Sequence, residues 1–218
     1  MTLTVRSLTV GYGRSAVLSD FSLSVSAGEF VVVAGPSGCG KSTLLRAVAG
    51  LIPFEGSISV GGSAVRGPSR DRALVFQDDG LLPWRTALRN VELPLVLQGV
   101  PRSARRSRAL EWLERVGLRG FEGYLPRELS GGMRQRVQLA RTLAQQPSVV
   151  LMDEPFGALD AQTRSTMQDL VTEVLSGTTT LFVTHDVDEA VLLGDRVVVL
   201  GAGEVERERD AILAAVRA

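Results

Sequence analysis

Gly35-Pro36-Ser37-Gly38-Cys39-Gly40-Lys41-Ser42-Thr43 decides the fold. It fits the pattern G-x-x-x-x-G-K-[ST], and it stands where that pattern needs to stand, between a strand and a helix. Upstream, Glu29 to Ala34 carries the apolar run Phe30-Val31-Val32-Val33, which suits a strand buried on both faces. Downstream, Lys41 to Ala49 reads as a helix. Glycines allow positive φ and bring backbone amides close to phosphate oxygens. Lys41 supplies a point charge for the β- and γ-phosphates of a nucleotide, and the Ser42 hydroxyl suits Mg2+. Cys39 reads as a small filler inside the loop, because no catalytic base accompanies it.

Other strands end in polar residues. Val149-Val150-Leu151-Met152 is a buried run ending in Asp153-Glu154. In a parallel sheet, ligands bind at the carboxyl ends of the strands. Asp153 there can hold Mg2+, and Glu154, one residue further on, can polarise an attacking water. His185, the one histidine of the chain, follows the strand Thr180 to Thr184 and is placed for a γ-phosphate contact. Gln77 closes the predicted strand Ala73 to Gln77, with its amide in reach of Mg2+ or water. Tyr12 offers a ring either for adenine stacking or for packing.

The remaining organisation follows from periodicity. Leu3, Val5 and Leu8 to Val10 predict one strand, and Phe21, Leu23 and Val25 another. Gly11-Tyr12-Gly13 breaks between them, giving an antiparallel flap. Ser57 to Val60 is a further short strand. Helical patterns cover Thr86 to about Gln98 and Ser103 to Val116, with Pro101 to start the second and Gly117 to stop it. Arg105, Arg106 and Arg108 lie near its apolar face, as a binding patch or a solvated surface. Met133 to Gln146 and Asp160 to Leu175 are predicted helices, and Arg196 to Leu200 is a last strand. This order gives an α/β core interrupted by a helical lobe, about Asp78 to Gln145.

Bulk properties narrow the class. A chain of 218 residues, 44% hydrophobic and 22% charged, suits one large domain with a sizeable core. Lys plus Arg equals Asp plus Glu at 24 each, which argues against nucleic acid as the main partner. Cys39 stands alone, so no internal disulfide forms. No signal peptide and no membrane-length apolar run is evident, so a cytoplasmic protein able to sit on a membrane protein is expected.

Leu129-Ser130-Gly131-Gly132-Met133-Arg134-Gln135 adds a puzzle. A hydroxyl and two glycines stand at the start of a predicted helix, a second ready anion site far from the first.

With these motifs in order, the chain resembles the ATP-binding subunits of ABC transporters. Gly35 to Thr43 matches their Walker A motif, Gln77 the Q-loop, Leu129 to Gln135 the signature motif and Val149 to Glu154 Walker B. Ala158-Leu159-Asp160 matches the D-loop, and His185 the switch histidine. Tyr12 falls where the family's adenine-stacking aromatic falls. The resemblance covers essentially the whole length. It implies an α/β P-loop NTPase core, a mainly parallel sheet flanked by helices, with an N-terminal antiparallel β subdomain and an inserted α-helical subdomain. On this reading residues 1–218 form one ATPase domain: 1–77 and 146–218 make the core with its β subdomain, and 78–145 the helical subdomain.

The family also implies the ligands and the partners. ATP would contact Tyr12, the loop Gly35, Pro36, Ser37, Gly38, Cys39, Gly40, Lys41, Ser42 and Thr43, and also Ser130, Gly131, Gly132 and Asp160. Mg2+ would be held by Ser42, Gln77 and Asp153. Catalysis would fall to Glu154, His185, Gln77 and Lys41. Two subunits, a homodimer or a pair with a close paralogue, would face head to tail, so that Ser130 to Gly132 cap ATP held by the partner. Closing on ATP and opening after hydrolysis would then be a ligand-driven two-state switch.

Gln77-Asp78-Asp79-Gly80-Leu81-Leu82-Pro83-Trp84 is similar to the segment after the Q-loop in nitrate, sulfonate and taurine importers. His185 to Ala190 fits that group as well. Thiamine, pyrimidine-precursor and molybdate importers share much of the pattern and stay as alternatives. An importer subunit implies an integral-membrane permease, indirectly an extracytoplasmic solute-binding protein, and a peripheral place on the cytoplasmic face of the membrane. Trp84, Leu81 and Leu82 would either meet the permease or pack in the core. The short stretch after Val199 leads us to expect no long regulatory domain. ABC ATPases that act on DNA insert coiled coils or zinc modules, and those on ribosomes carry two cassettes, neither of which is evident here.

Overall fold

The computed structural model describes residues 1–12, 15–200, 203–205 and 214. In chain order the elements begin β1 (Leu3–Tyr12), β2 (Ser15–Val25), β3 (Phe30–Ala34), α1 (Lys41–Ala49), β4 (Glu55–Val60), β5 (Ser63–Ala64) and β6 (Arg72–Val75). There follow α2 (Ala87–Leu97), α3 (Arg102–Arg115) and α4 (Gly131–Ala144). The chain then runs through β7 (Val149–Asp153), α5 (Ala161–Val174), β8 (Thr179–Thr184), α6 (Val187–Leu193), β9 (Arg196–Val199) and β10 (Gly203–Val205).

The chain divides into two compact units. The first comprises Met1–Leu74, Ser148–Glu154 and Leu175–Ala218; the second comprises Val75–Pro147 and Pro155–Val174. The expected helical insert, 78–145, falls within the second unit, which also takes in Pro155–Val174.

A sheet of order β10-β9-β3-β8-β7-β6 carries the phosphate-binding loop. β3 runs parallel to β8 and β9, β7 runs parallel to β8, and β10 is antiparallel to β9. The valines of β3 and the whole of β7 and β8 are buried, as their unbroken apolar runs require. Register then sets the chemistry. Ala34 pairs with Thr184, and Asp153 pairs with Val183, so Gly35, Glu154 and His185 leave the sheet side by side at its carboxyl edge.

The N-terminal flap is larger than two strands. β2, β1, β4 and β5 form a four-stranded antiparallel sheet, because Leu3 to Arg6 pair with Ser57 to Val60 on the edge away from β2. β1 also continues through Gly11 to Tyr12, where a break is expected from sequence, since Gly11 pairs with Ala16 and Tyr12 with Ser15. One apolar cluster serves both sheets, joining Leu3, Val5 and Ile58 to Val31, Val33, Leu44, Leu45, Val48, Leu151 and Leu181.

In the second unit α2, α3 and α4 pack around Leu88, Val91, Leu95, Ala109, Leu113, Val137 and Ala140. Thr86 caps α2 by accepting from the Arg89 amide. Gly117, at φ 70°, ends the turn after α3. Arg106 and Arg108 are exposed on α3 and Arg105 is half-buried. No described helix is long and apolar enough to cross a membrane.

Candidate nucleotide-binding and hydrolysis site

The loop from Gly35 to Gly40 bends through conformations that favour glycine. Gly38 has φ 82° and Gly40 φ 105°. A Cβ at Gly40 would come within 2.9 Å of Leu18 Cδ2 and Val17 Cγ1, so the flap packs directly on the loop. Gly40 caps α1 without any side chain, which leaves the first-turn amides of that helix to other acceptors. Cys39, half-buried, packs against the apolar core of this unit, and its Sγ is the atom a Cβ at Gly35 would strike. That matches its reading as a filler.

Lys41 is only 4% exposed. Its ammonium donates to the Gly35 and Pro36 carbonyls at 2.8 and 2.9 Å, so it is folded back into the loop that it belongs to. Beside it, the Ser42 hydroxyl donates to Asp153 Oδ1 at 2.8 Å. Burial pushes the Asp153 carboxyl above its usual range; the Ser42 hydrogen bond opposes this, and the charge of Glu154 adds to it. One hydroxyl and one carboxylate form an all-oxygen donor pair. That suits Mg2+, which takes few protein ligands and completes its shell with water and phosphate. No cluster of three or more His, Cys, Asp or Glu of the kind that holds a metal unaided exists among the described residues.

Glu154 bends back on itself. Its φ is 44°, an uncommon conformation for a residue with a side chain, and its amide donates to the Val183 carbonyl at 3.0 Å. The carboxylate therefore reaches two cations or potential cations. Oε1 lies 3.7 Å from Lys41 Nζ, and Oε2 lies 2.7 Å from His185 Nδ1. A carboxylate only accepts, so the imidazole donates from Nδ1 and leaves Nε2 as its second face. The His185 side chain is 56% exposed, open to a ligand arriving from solvent.

The turn that carries His185 is held by residues that the motif reading passes over. Thr184 Oγ1 donates to Glu189 Oε2 at 2.6 Å and accepts from the Asp186 amide at 3.0 Å. Asp186 caps α6, accepting from the amides of Asp188 and Glu189. The pattern Asp186-x-x-Glu189 was the signal for this, since it marks a helix start.

Gln77, Ser130, Gly131, Gly132 and Asp160 lie in the second unit. Gln77 does not close a strand. β6 stops at Val75, because the Phe76 and Gln77 carbonyls accept from Gln138 and Gln135 of α4 instead of from a neighbouring strand. Gly131 and Gly132 are not ahead of their helix but form its first turn, because Ser130 is the cap, accepting from the Met133 amide at 3.3 Å. The helix thus starts two residues before Met133. Asp160 caps α5 through the Thr163 amide at 3.0 Å and the Thr163 hydroxyl at 2.7 Å. Those two bonds hold its carboxyl below the usual range. Thr163 also faces α4: a Cβ on Gly132 would lie 2.4 Å from its Cγ2. Helices α4 and α5 therefore share one close contact at their N-termini.

Leu81 packs in the core of this unit, while Trp84 is 73% exposed. Asn90, fully buried, ties down the turn that bears Trp84. It accepts from the Leu82 amide and donates to the carbonyls of Leu82, Arg85 and Thr86. The side chain of Tyr12, the predicted adenine-stacking aromatic, lies outside the described residues.

Known proteins resemble this chain in sequence and in fold. The family model described as ABC transporter matches residues 18–157. An uncharacterised ABC transporter ATP-binding protein of Methanocaldococcus jannaschii is 53% identical over 192 residues, 87% of this chain and 72% of that protein. The taurine import ATP-binding protein TauB of Yersinia pestis biovar Antiqua is 48% identical over 204 residues, 92% of this chain and 80% of that one. TauB of Rhizobium johnstonii is 50% identical over 193 residues, 87% and 74% of the two chains. Among solved structures, a dimeric post-hydrolysis state of the ATP-binding cassette MJ0796, bound to ADP and Pi, superposes with a TM-score of 0.79. It is 35% identical and covers 91% of this chain and 94% of that one.

Proposed function

The chain belongs to the ABC transporter family of ATP-binding proteins and has the P-loop NTPase fold and ATPase activity of that family; from this we propose that it energises an importer of a small anion or organic solute of the nitrate, sulfonate or taurine type, with taurine-like sulfonates favoured. The observation that carries the cargo class is the 48% identity, over 92% of the chain, to a taurine import ATP-binding protein. The stretch Gln77 to Trp84 supports the same group.

The proposed chemistry follows from the side chains in place. The amides of Gly38 to Ser42 and the Lys41 ammonium bind the β- and γ-phosphates of ATP. Ser42 and Asp153 hold Mg2+, with Gln77 as a further oxygen ligand; the ion neutralises phosphate charge when bound. Glu154 takes a proton from the attacking water or orients it, a role that needs its carboxylate fixed between two groups, as Lys41 and His185 fix it here. With both ring nitrogens protonated, His185 then donates from Nε2 to the γ-phosphate while Nδ1 keeps Glu154. Ser130, Gly131, Gly132 and Asp160 act on the ATP of a second copy of the chain, in a head-to-tail dimer. That dimer docks on an integral-membrane permease through the exposed Trp84, at the cytoplasmic face, and a solute-binding protein delivers cargo on the far side.

Purified with its permease and a solute-binding protein, the ATPase should be stimulated by taurine or an alkanesulfonate. Stimulation by molybdate, thiamine or a pyrimidine precursor alone would replace the cargo class and leave the ATPase assignment standing.

A further inference from the structure

Five consecutive main-chain carbonyls, from Phe76 to Gly80, all accept hydrogen bonds from side chains of the single helix α4. Gln138 Nε2 donates to Phe76 and Asp78 at 3.1 and 3.0 Å. Gln135 Nε2 donates to Gln77 at 3.1 Å. Arg141 donates through Nη1 to Gly80 at 2.9 Å and through Nη2 to Asp79 at 3.2 Å. Arg134 adds an ion pair with the Asp79 carboxylate at 2.8 Å and anchors itself on the Leu129 carbonyl. Residues 134, 135, 138 and 141 share one face of a helix.

Two details separate this from ordinary loop packing. Gln138 is fully buried, and its Oε1 has no hydrogen-bond partner. An apolar side chain of that size would pack the same space without stranding an acceptor, so the residue suits its two donations rather than its burial. Gln77 itself is gripped only by the backbone: its carbonyl is held and its side chain is exposed.

We propose that Gln135, Gln138 and Arg141 are positioning residues for Gln77, fixing the main chain of 76–80 on the signature helix so that the Gln77 amide is presented in one place whenever α4 moves. The inference rests on the reading of Gln77 as a ligand at the ATP site. It makes the signature Ser130, at the N-terminus of α4, and Gln77 parts of one mechanical body. A displacement of the helix that seats Ser130 on a partner's nucleotide then carries Gln77 with it, without a separate loop motion. Arg141 and Gln138 touch no nucleotide in this scheme and act only through the carbonyls they hold.

The test is a double-mutant cycle on the full chain, reading kcat and KM for ATP. Gln138→Met and Arg141→Gln should each lower kcat about tenfold, as expected for misplacing a catalytic ligand by a fraction of its reach, with KM within about twofold. In a Gln77→Ala background neither should lower kcat further, because the group they position is gone. An equal fall in that background, or no fall in the Gln77 parent, overturns the positioning role. Arg141 is less buried than Gln138, so its variant carries the test if Gln138→Met fails to fold. If Gln77→Ala alone leaves kcat unchanged, the reading of Gln77 as an ATP-site ligand fails and the positioning role falls with it. If that substitution lowers kcat and the two α4 variants do not, only the positioning role fails.

Discussion

His185 Nδ1 donates to Glu154 Oε2 across 2.7 Å, two residues that stand 31 apart in the chain and leave adjacent parallel strands at the same edge. The imidazole thereby fixes one rotamer of the carboxylate, and the carboxylate fixes one tautomer of the imidazole.

Glu154→Gln tests that pair as a catalytic unit. The amide keeps an oxygen for His185 but loses the charge that faces Lys41 and the capacity to take a proton. Turnover should fall by about two orders of magnitude or more while ATP binding persists. Size-exclusion chromatography should then find an ATP-stabilised dimer. Rapid hydrolysis by the variant would remove Glu154 as the base.

Asp153→Asn separates stability from function. The Asp153 carboxyl is raised above its ordinary value of 3.8, first by burial. A carboxyl raised in the folded state costs stability at every pH above its folded pKa, and that cost disappears as pH falls through the folded value towards 3.8. The ligand-free variant should therefore melt above the parent at pH 7, and the gap should close on acidification. Mg2+-dependent hydrolysis should be lost. Calorimetry across the range checks both signs, and a variant that melts below the parent at pH 7 contradicts the burial argument.

Gly132→Ala probes the contact between α4 and α5. Within a helix, alanine in place of glycine stabilises by about 1 kcal/mol when nothing is in the way. Here the new Cβ would lie 2.4 Å from Thr163 Cγ2, so the melting temperature should drop instead. Thr163→Ser in the same chain removes that methyl and keeps the hydroxyl bonded to Asp160 Oδ2. The double variant should recover the parent's stability or exceed it. Thermal melts of the ligand-free proteins decide, and a single variant as stable as the parent refutes the contact.

Ser130→Ala removes the α4 cap and the hydroxyl proposed to meet the partner's ATP. Loss of a cap costs about 1 kcal/mol, or about 2–4 °C in a domain of this size. ATP binding by the monomer should survive and ATP-driven dimerisation should weaken. Loss of monomer binding, measured by fluorescent nucleotide titration, would place Ser130 on its own chain's nucleotide.

Much of the first unit was legible along the chain because its signals are local. A glycine loop after four apolar residues, and a buried run ending in Asp153-Glu154, need no distant partner to be recognised, and both lie where the pattern placed them. The misreadings arose where distant residues intervene. Val75 ends its strand because side chains about sixty positions later take the next carbonyls. β4 is an inner strand of the flap because Leu3 to Arg6 supply its neighbour.

Residue order thus sufficed for the identity of the phosphate-binding loop, most of the strand and helix succession apart from β5, α6 and β10, and the polar residues that follow β7 and β8, since each depends on short-range periodicity and on the conformational needs of glycine. Folding alone decided which of those residues meet. The parallel register brings Glu154 to His185, the shared N-terminal contact of two helices sets Gly132 against Thr163, and one face of α4 takes hold of Phe76 to Gly80. Hydrogen bonds and close packing act over a few ångströms of space, whatever the separation in sequence, so these relationships exist only once the chain has closed on itself.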